Sequence, residues 1–151
     1  MTTKIAGADE LKKRVGDHLG YSDWHEITQE QVNQFAEATG DHQWIHVDPE
    51  RAKSGPFGGT IGHGYLTISL APAFLKEVLV IEGFSMGVNY GINKLRFPAP
   101  VPVGKRLRVG ATLKAADDVA GGVQPTLELV FEVEGQEKPA CIAEVVYRYY
   151  E

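Results

Sequence analysis

The densest polar cluster in the sequence is the segment Asp41–Val47, which holds Asp41, His42, Gln43 and His46. Asp41 and His46 are five residues apart on what the flanking signals make a loop, so a carboxylate and an imidazole can converge on one small volume. Such a pair can hold a water, take its proton and return a proton elsewhere, which is general acid–base work. The plainer explanation is an aspartate that caps a turn beside an incidental histidine. His42 and His46 are four apart, but that spacing aligns metal ligands only on a helix. Asp48-Pro49 marks a helix start just beyond them, so no metal site is expected. His63-Gly64 opens a long apolar run, and a helix-opening N–H has no intrahelical acceptor. Gly64 N–H could therefore donate to a developing oxyanion. Alternatively, the glycines Gly55, Gly58, Gly59, Gly62 and Gly64 merely let a loop pack closely.

These residues need elements to hold them. Thr28-Gln29-Glu30-Gln31 has the spacing of a capping box, Val32, Phe35 and Ala36 share a face, and Gly40 stands where a helix-ending glycine belongs. That helix delivers Asp41 just past its end. Asp48 as N-cap and Pro49 at the first position predict a short helix over Pro49–Lys53. A long apolar helix is expected from about Gly64 to Leu79, nearly enclosed by other structure. Ala8–Val15 reads as a short amphipathic helix and Tyr21–Ile27 as a strand. The C-terminal half alternates with period two: Leu107, Val109, Ala111 and Leu113; Leu127, Leu129, Phe131 and Val133; Ala143, Val145, Tyr147 and Tyr149. These predict half-buried antiparallel strands. Met86–Phe97 is a further strand whose apolar phase shifts near Asn93, which implies a bulge. An α+β order follows, with an antiparallel sheet curling around one apolar helix.

Composition narrows the function classes. At 151 residues, with 43% hydrophobic and 23% charged residues, the chain is expected to form one domain over 1–151. Cys141 is the only cysteine and reads as a small buried strand residue, so no intrachain disulfide or thiolate zinc site is available. No apolar secretory segment or membrane span is apparent, and the expected location is cytoplasmic. A net charge of −5 argues against general nucleic-acid binding. Yet Gly83–Ala116 carries six bases, Lys94, Arg96, Lys105, Arg106, Arg108 and Lys114, and no acid. A solvated sheet face explains such a window, and so does a polyphosphate ligand.

Three ordered segments, FAEATGDHQWIHVDPERA (Phe35–Ala52), GPFGGTIGHGYLT (Gly55–Thr67) and NYGINKLRFPAPVPVG (Asn89–Gly104), carry a resemblance. The chain resembles the MaoC-like dehydratases, the (R)-specific enoyl-CoA hydratases of the hot-dog superfamily, and within them the nodulation-protein-N-like branch. The resemblance implies a single hot-dog fold and reversible hydration of a trans-2-enoyl-CoA to the (R)-3-hydroxyacyl-CoA. It assigns water activation to Asp41 and His46 and the oxyanion N–H to Gly64. Where the commoner motif has Asn-Pro, this chain has Gln43-Trp44, so Gln43 is expected to support the site through its amide while the loop loses proline's rigidity. His63, Tyr65, Asn89 and Tyr90 are expected along the acyl thioester, and Lys94, Arg96, Lys105 and Arg106 at the CoA phosphates. No metal or redox cofactor is required, because the thioester already activates the alkene. A hot-dog thioesterase and a non-catalytic acyl-CoA binding module are the competing readings. One layer per chain further implies a homodimer with part of each pocket supplied by the neighbour.

Overall fold

The computed structural model describes residues 1–151. A short strand β1 (Thr3–Ala6) leads into helix α1 (Gly7–Lys13), which buries Leu11. The predicted strand Tyr21–Ile27 is instead two pieces, β2 (His18–Tyr21) and β3 (His25–Glu26). Between them the Ser22 hydroxyl accepts from Val109 N–H and substitutes for a ladder bond. Helix α2 (Gln29–Thr39) begins as its sequence requires, with the Thr28 hydroxyl accepting from Gln31 N–H, and ends on Gly40 at φ 82°. Cβ strain makes that left-handed conformation a position for glycine.

The segment Asp41–Val47 is not all loop, since Trp44–Val47 winds into one turn, α3. Helix α4 (Pro49–Lys53) follows, with the Asp48 carboxylate accepting from Arg51 N–H. The expected helix Gly64–Leu79 divides into α5 (Gly64–Ser69) and α6 (Ala71–Val78). Pro72 is the cause, because it lacks the N–H that a continuous helix would use there. Nor is this helix enclosed within one chain. Leu66, Thr67, Ala71, Phe74, Leu75 and Val78 are buried, whereas Tyr65, Ser69, Pro72, Ala73 and Lys76 form an exposed stripe.

Strand β4 (Leu79–Glu82) pairs in parallel with β1, from Thr3 opposite Leu79 to Ala6 opposite Glu82. The main sheet is antiparallel, built from β5 (Met86–Arg96), β6 (Arg106–Val119), β7 (Gly122–Val133) and β8 (Cys141–Tyr150). Its order is β2-β6-β7-β8-β5, with β3 also pairing β6. The alternating residues of β6, β7 and β8 face the helices, and Leu107, Leu113, Leu129 and Phe131 are fully buried. Each such side chain contributes about 1.5–3 kcal/mol relative to exposure. Strand β5 has the expected irregularity at Asn93 and a second between Asn89 and Gly91. It is the edge of the sheet and is exposed along nearly its whole length.

Candidate active site

The left-handed turn at Gly40 sets the start of the site. Asp41 follows with an exposed carboxylate whose Oδ1 accepts from Gln43 N–H at 3.3 Å. Gln43 C=O accepts from His46 N–H at 3.0 Å and begins α3. Gln43 thus supports Asp41 through its main chain, while its side-chain amide makes no hydrogen bond to the protein. Trp44 packs this turn against its surroundings. The Arg51 guanidinium lies 4.3 Å from its ring centre, and a Cβ at Gly55 would come within 3.0 Å of that ring. The indole therefore wedges α3 against the loop after α4, where the commoner motif relies on proline.

His46 is buried at 7% exposure. Its Nδ1–H donates to Ile61 C=O at 2.7 Å, which leaves Nε2 bare and without a protein partner. A seam of bonds holds this geometry. Ile61 N–H donates to Ile45 C=O, Gly62 N–H to Val101 C=O, and Val103 N–H to Thr60 C=O. Gln29 closes the seam: its Nε2 donates to His46 C=O at 2.7 Å and its Oε1 accepts from the Thr60 hydroxyl at 2.6 Å. In the sequence Gln29 is merely the first residue of a helix. Nothing local marks it as a clamp, because its partners lie 17 and 31 residues away.

His63 departs from expectation. At 3% exposure it is sealed rather than open to a substrate. Its Nε2–H donates to Asp41 C=O at 3.0 Å, and its ring stacks on His46 with centroids 3.9 Å apart and planes 22° apart. Phe35 covers it from α2, with ring centres 4.8 Å apart. Burial pushes this imidazole below its ordinary titration range, with the nearby His46 acting in the same direction and the bond to Asp41 C=O opposing both. Its Nδ1 is buried without a partner.

Gly64 N–H has no acceptor within the chain. A Cβ at this position would meet the Phe97 ring at 3.0 Å, so the glycine is what lets the aromatic wall close over the helix start. Gly64, Thr67 and His46 open onto a cavity of about 290 Å³ whose other walls include Phe57, Ile61, Phe97 and Val101. The residue with the bare imidazole nitrogen and the residue with the unpaired N–H thus line one largely apolar cavity. One nitrogen or oxygen from each of Asp41, His46 and His63 falls within a 4.8 Å cluster. Near-parallel rings direct their in-plane lone pairs side by side, and the His63 Nε2 is occupied as a donor to Asp41.

The remaining expected contacts separate into groups. Tyr65 is 69% exposed beside Phe97, with ring centres 6.1 Å apart, and Asn89 lines the groove between α5 and β5. The Tyr90 ring lies 3.6 Å from the Arg148 guanidinium. Tyr90 lines the same groove as Asn89, with its ring held by the Arg148 side chain. Arg106 is engaged by Glu134, as Arg108 is by Glu132. Lys94, Arg96 and Lys105 are exposed and make no ion pair. The acid-free window is therefore partly neutralised by acids on β7 and its turn, which linear charge counting does not register.

An antiparallel sheet wrapped on a central helix, with a polar pair at the helix start, defines a hot-dog protein of the dehydratase type. The chain belongs to the family described as MaoC like domain, whose profile matches residues 10–132. It is 53% identical over 141 residues to 3-hydroxyacyl-thioester dehydratase Z of Mycobacterium tuberculosis, covering 93% of both chains. It is 41% identical over 137 residues to nodulation protein N of Rhizobium leguminosarum bv. viciae, covering 89% of this chain and 85% of that one. Among solved structures it is similar to the (R)-hydratase from A. caviae involved in PHA biosynthesis. That superposition has a TM-score of 0.71 and 26% identity, and covers 88% of this chain and 94% of the other. No helix is long and apolar enough to cross a membrane.

Proposed function

We propose that the protein is a hydro-lyase that reversibly adds water to a trans-2-enoyl-CoA, giving the (R)-3-hydroxyacyl-CoA. The observation that carries this reading is that His46, with a bare Nε2, is near the exposed Asp41 carboxylate and lines one cavity with Gly64, whose N–H is unpaired. Water adds at C3 only if negative charge is accepted at the thioester oxygen, and Gly64 N–H supplies a donor for it. Asp41 and His46 hold the water between them, take its proton and deliver one to C2. The His46 bond to Ile61 C=O fixes the tautomer that keeps Nε2 available. Conjugation with the thioester activates the alkene, so the reaction needs no metal or redox cofactor. The dehydratase name of the M. tuberculosis relative supports the same chemistry run in the other direction.

Lys94, Arg96 and Lys105, unpaired within the chain, are assigned to the CoA phosphates; Tyr65 and Asn89 are assigned to the pantetheine and acyl path. The exposed β5 edge, with Met86 and Ile92 at 52% and 48% exposure, supports a homodimer in which a second copy covers the groove beside α5. The reading includes a cytoplasmic location, where acyl-CoA is available.

The test follows the enoyl chromophore while titrating free thiol and resolving product chirality. Hydration bleaches the chromophore without thiol release and gives the (R)-alcohol. Thiol release indicates a thioesterase, and an (S)-product overturns the stereochemical assignment. Tight binding without turnover at any chain length indicates a binding module.

A further inference from the structure

His63 is a buried titratable ring that touches both members of the water-activating pair, and the mechanism above leaves it unused. We propose that His63 is a positioning residue: its Nε2–H pins the Asp41 main chain while its ring face holds His46 in the orientation that aims Nε2 at the water. This rests on the reading of Asp41 and His46 as that pair.

The hydrogen bond from His63 to Asp41 C=O spans 22 residues and ties the end of α2 to the residue before Gly64. One imidazole thereby spaces the carboxylate turn, the His46 ring and the oxyanion donor. A single bond from His46 Nδ1 to Ile61 C=O leaves that ring free to swing about the bond axis. Stacking at 3.9 Å and 22° removes the freedom. The orphaned Nδ1 argues against a packing role alone. A phenyl ring would fill the same space without burying an unpaired nitrogen, so the polar feature kept in exchange is the bond to Asp41.

Neutrality also matters. Asp41 and His42 approach His63 from the loop after α2, His46 from α3, and the uncharged Phe35 from α2. A ring held uncharged by burial can face His46 when His46 carries the proton, whereas two stacked imidazolium ions would repel.

The experiment combines nitrogen-15 NMR of the histidine rings with kinetics on short enoyl-CoAs. In the wild type, His63 is expected to be the Nε2–H tautomer when neutral and to titrate below an ordinary histidine. His63→Phe keeps a ring and loses the donor; it should lower kcat about 10- to 100-fold with KM changed less than about threefold, as expected for misplacement of reacting groups. His63→Gln restores an N–H near the Nε2 position and should recover part of that loss, while the His46 signals broaden or shift. Wild-type kcat in His63→Phe overturns the proposal, as does an Nδ1–H tautomer or titration of His63 at its ordinary value. If His63→Phe fails to fold, the wild-type tautomer and His63→Gln decide. Absence of hydration by the wild type would instead overturn the hydratase reading. The His46 ring signals in wild type and His63→Gln would then still decide whether His63 holds that ring.

Discussion

The seam around His46 and the edge strand β5 are built in opposite ways. At the seam, Gln29, Thr60, Ile61 and His63 are tied to named partners, and both histidines are buried, with only His46 Nε2 reaching toward the cavity and His63 Nδ1 left unpaired. Along β5, Asn89 and Ile92 are left open over a groove, and Tyr65 of α5 is exposed. The chemical half of the site is thus preorganised within one chain, while the half that would hold an extended thioester is unfinished without a second surface. Substitutions in the first region should act on kcat, and those in the second on KM and assembly.

The largest expected effect tests that division directly. Asp41→Asn and His46→Gln should each lower kcat by about 10²–10⁴-fold while leaving acyl-CoA affinity, read by calorimetry, close to wild type. A parallel loss of affinity would break the division.

Ile92→Lys places a charge on the open edge and should turn a dimer into a monomer by light scattering, with KM rising by more than kcat falls. Gly64→Ala forces a methyl against Phe97 and should cost about 1–3 kcal/mol of stability, read by denaturant unfolding. Phe97→Ala in the same chain should recover most of it. Gln29→Ala strands the Thr60 hydroxyl and frees His46 C=O, which should cost about 1–3 kcal/mol and lower kcat severalfold.

The smallest effect is a pH slope. Burial holds the folded His63 below its unfolded titration value, so as pH falls below about 6.5 the unfolded chain takes up that proton first. Stability should therefore decline with falling pH until the folded value is reached. His63→Phe should remove this component of the slope in urea titrations between pH 5.5 and 7.5.

Features encoded by neighbours in sequence were legible. Thr28, Gly40, Asp48 and Pro49 marked helix ends because caps act over three or four residues. The inward residues of β6 to β8 declared themselves by period, and Asn93 by a break in it. Asp41, His46 and Gly64 were legible through motif spacing as well as through chemistry. What escaped depends on distant partners. The Gln29 clamp and the sealing of His63 exist only once Thr60 and Asp41 have been brought close. Strand β5 also carries a second irregularity, between Asn89 and Gly91, that no hydropathy pattern announces. Pro72 was visible, yet the apolar run around it hid the division of the central helix.

The parallel pair β1 and β4 has a consequence for how the molecule is made. Thr3–Ala6 finds its partner only at Leu79–Glu82, after both central helices. During synthesis the first strand must wait, with Ile5 uncovered, until more than half of the chain has emerged. Closure of that long loop is costly before its contacts form. This N-terminal seal is therefore expected to be among the last parts of the molecule to set and among the first to open under denaturant.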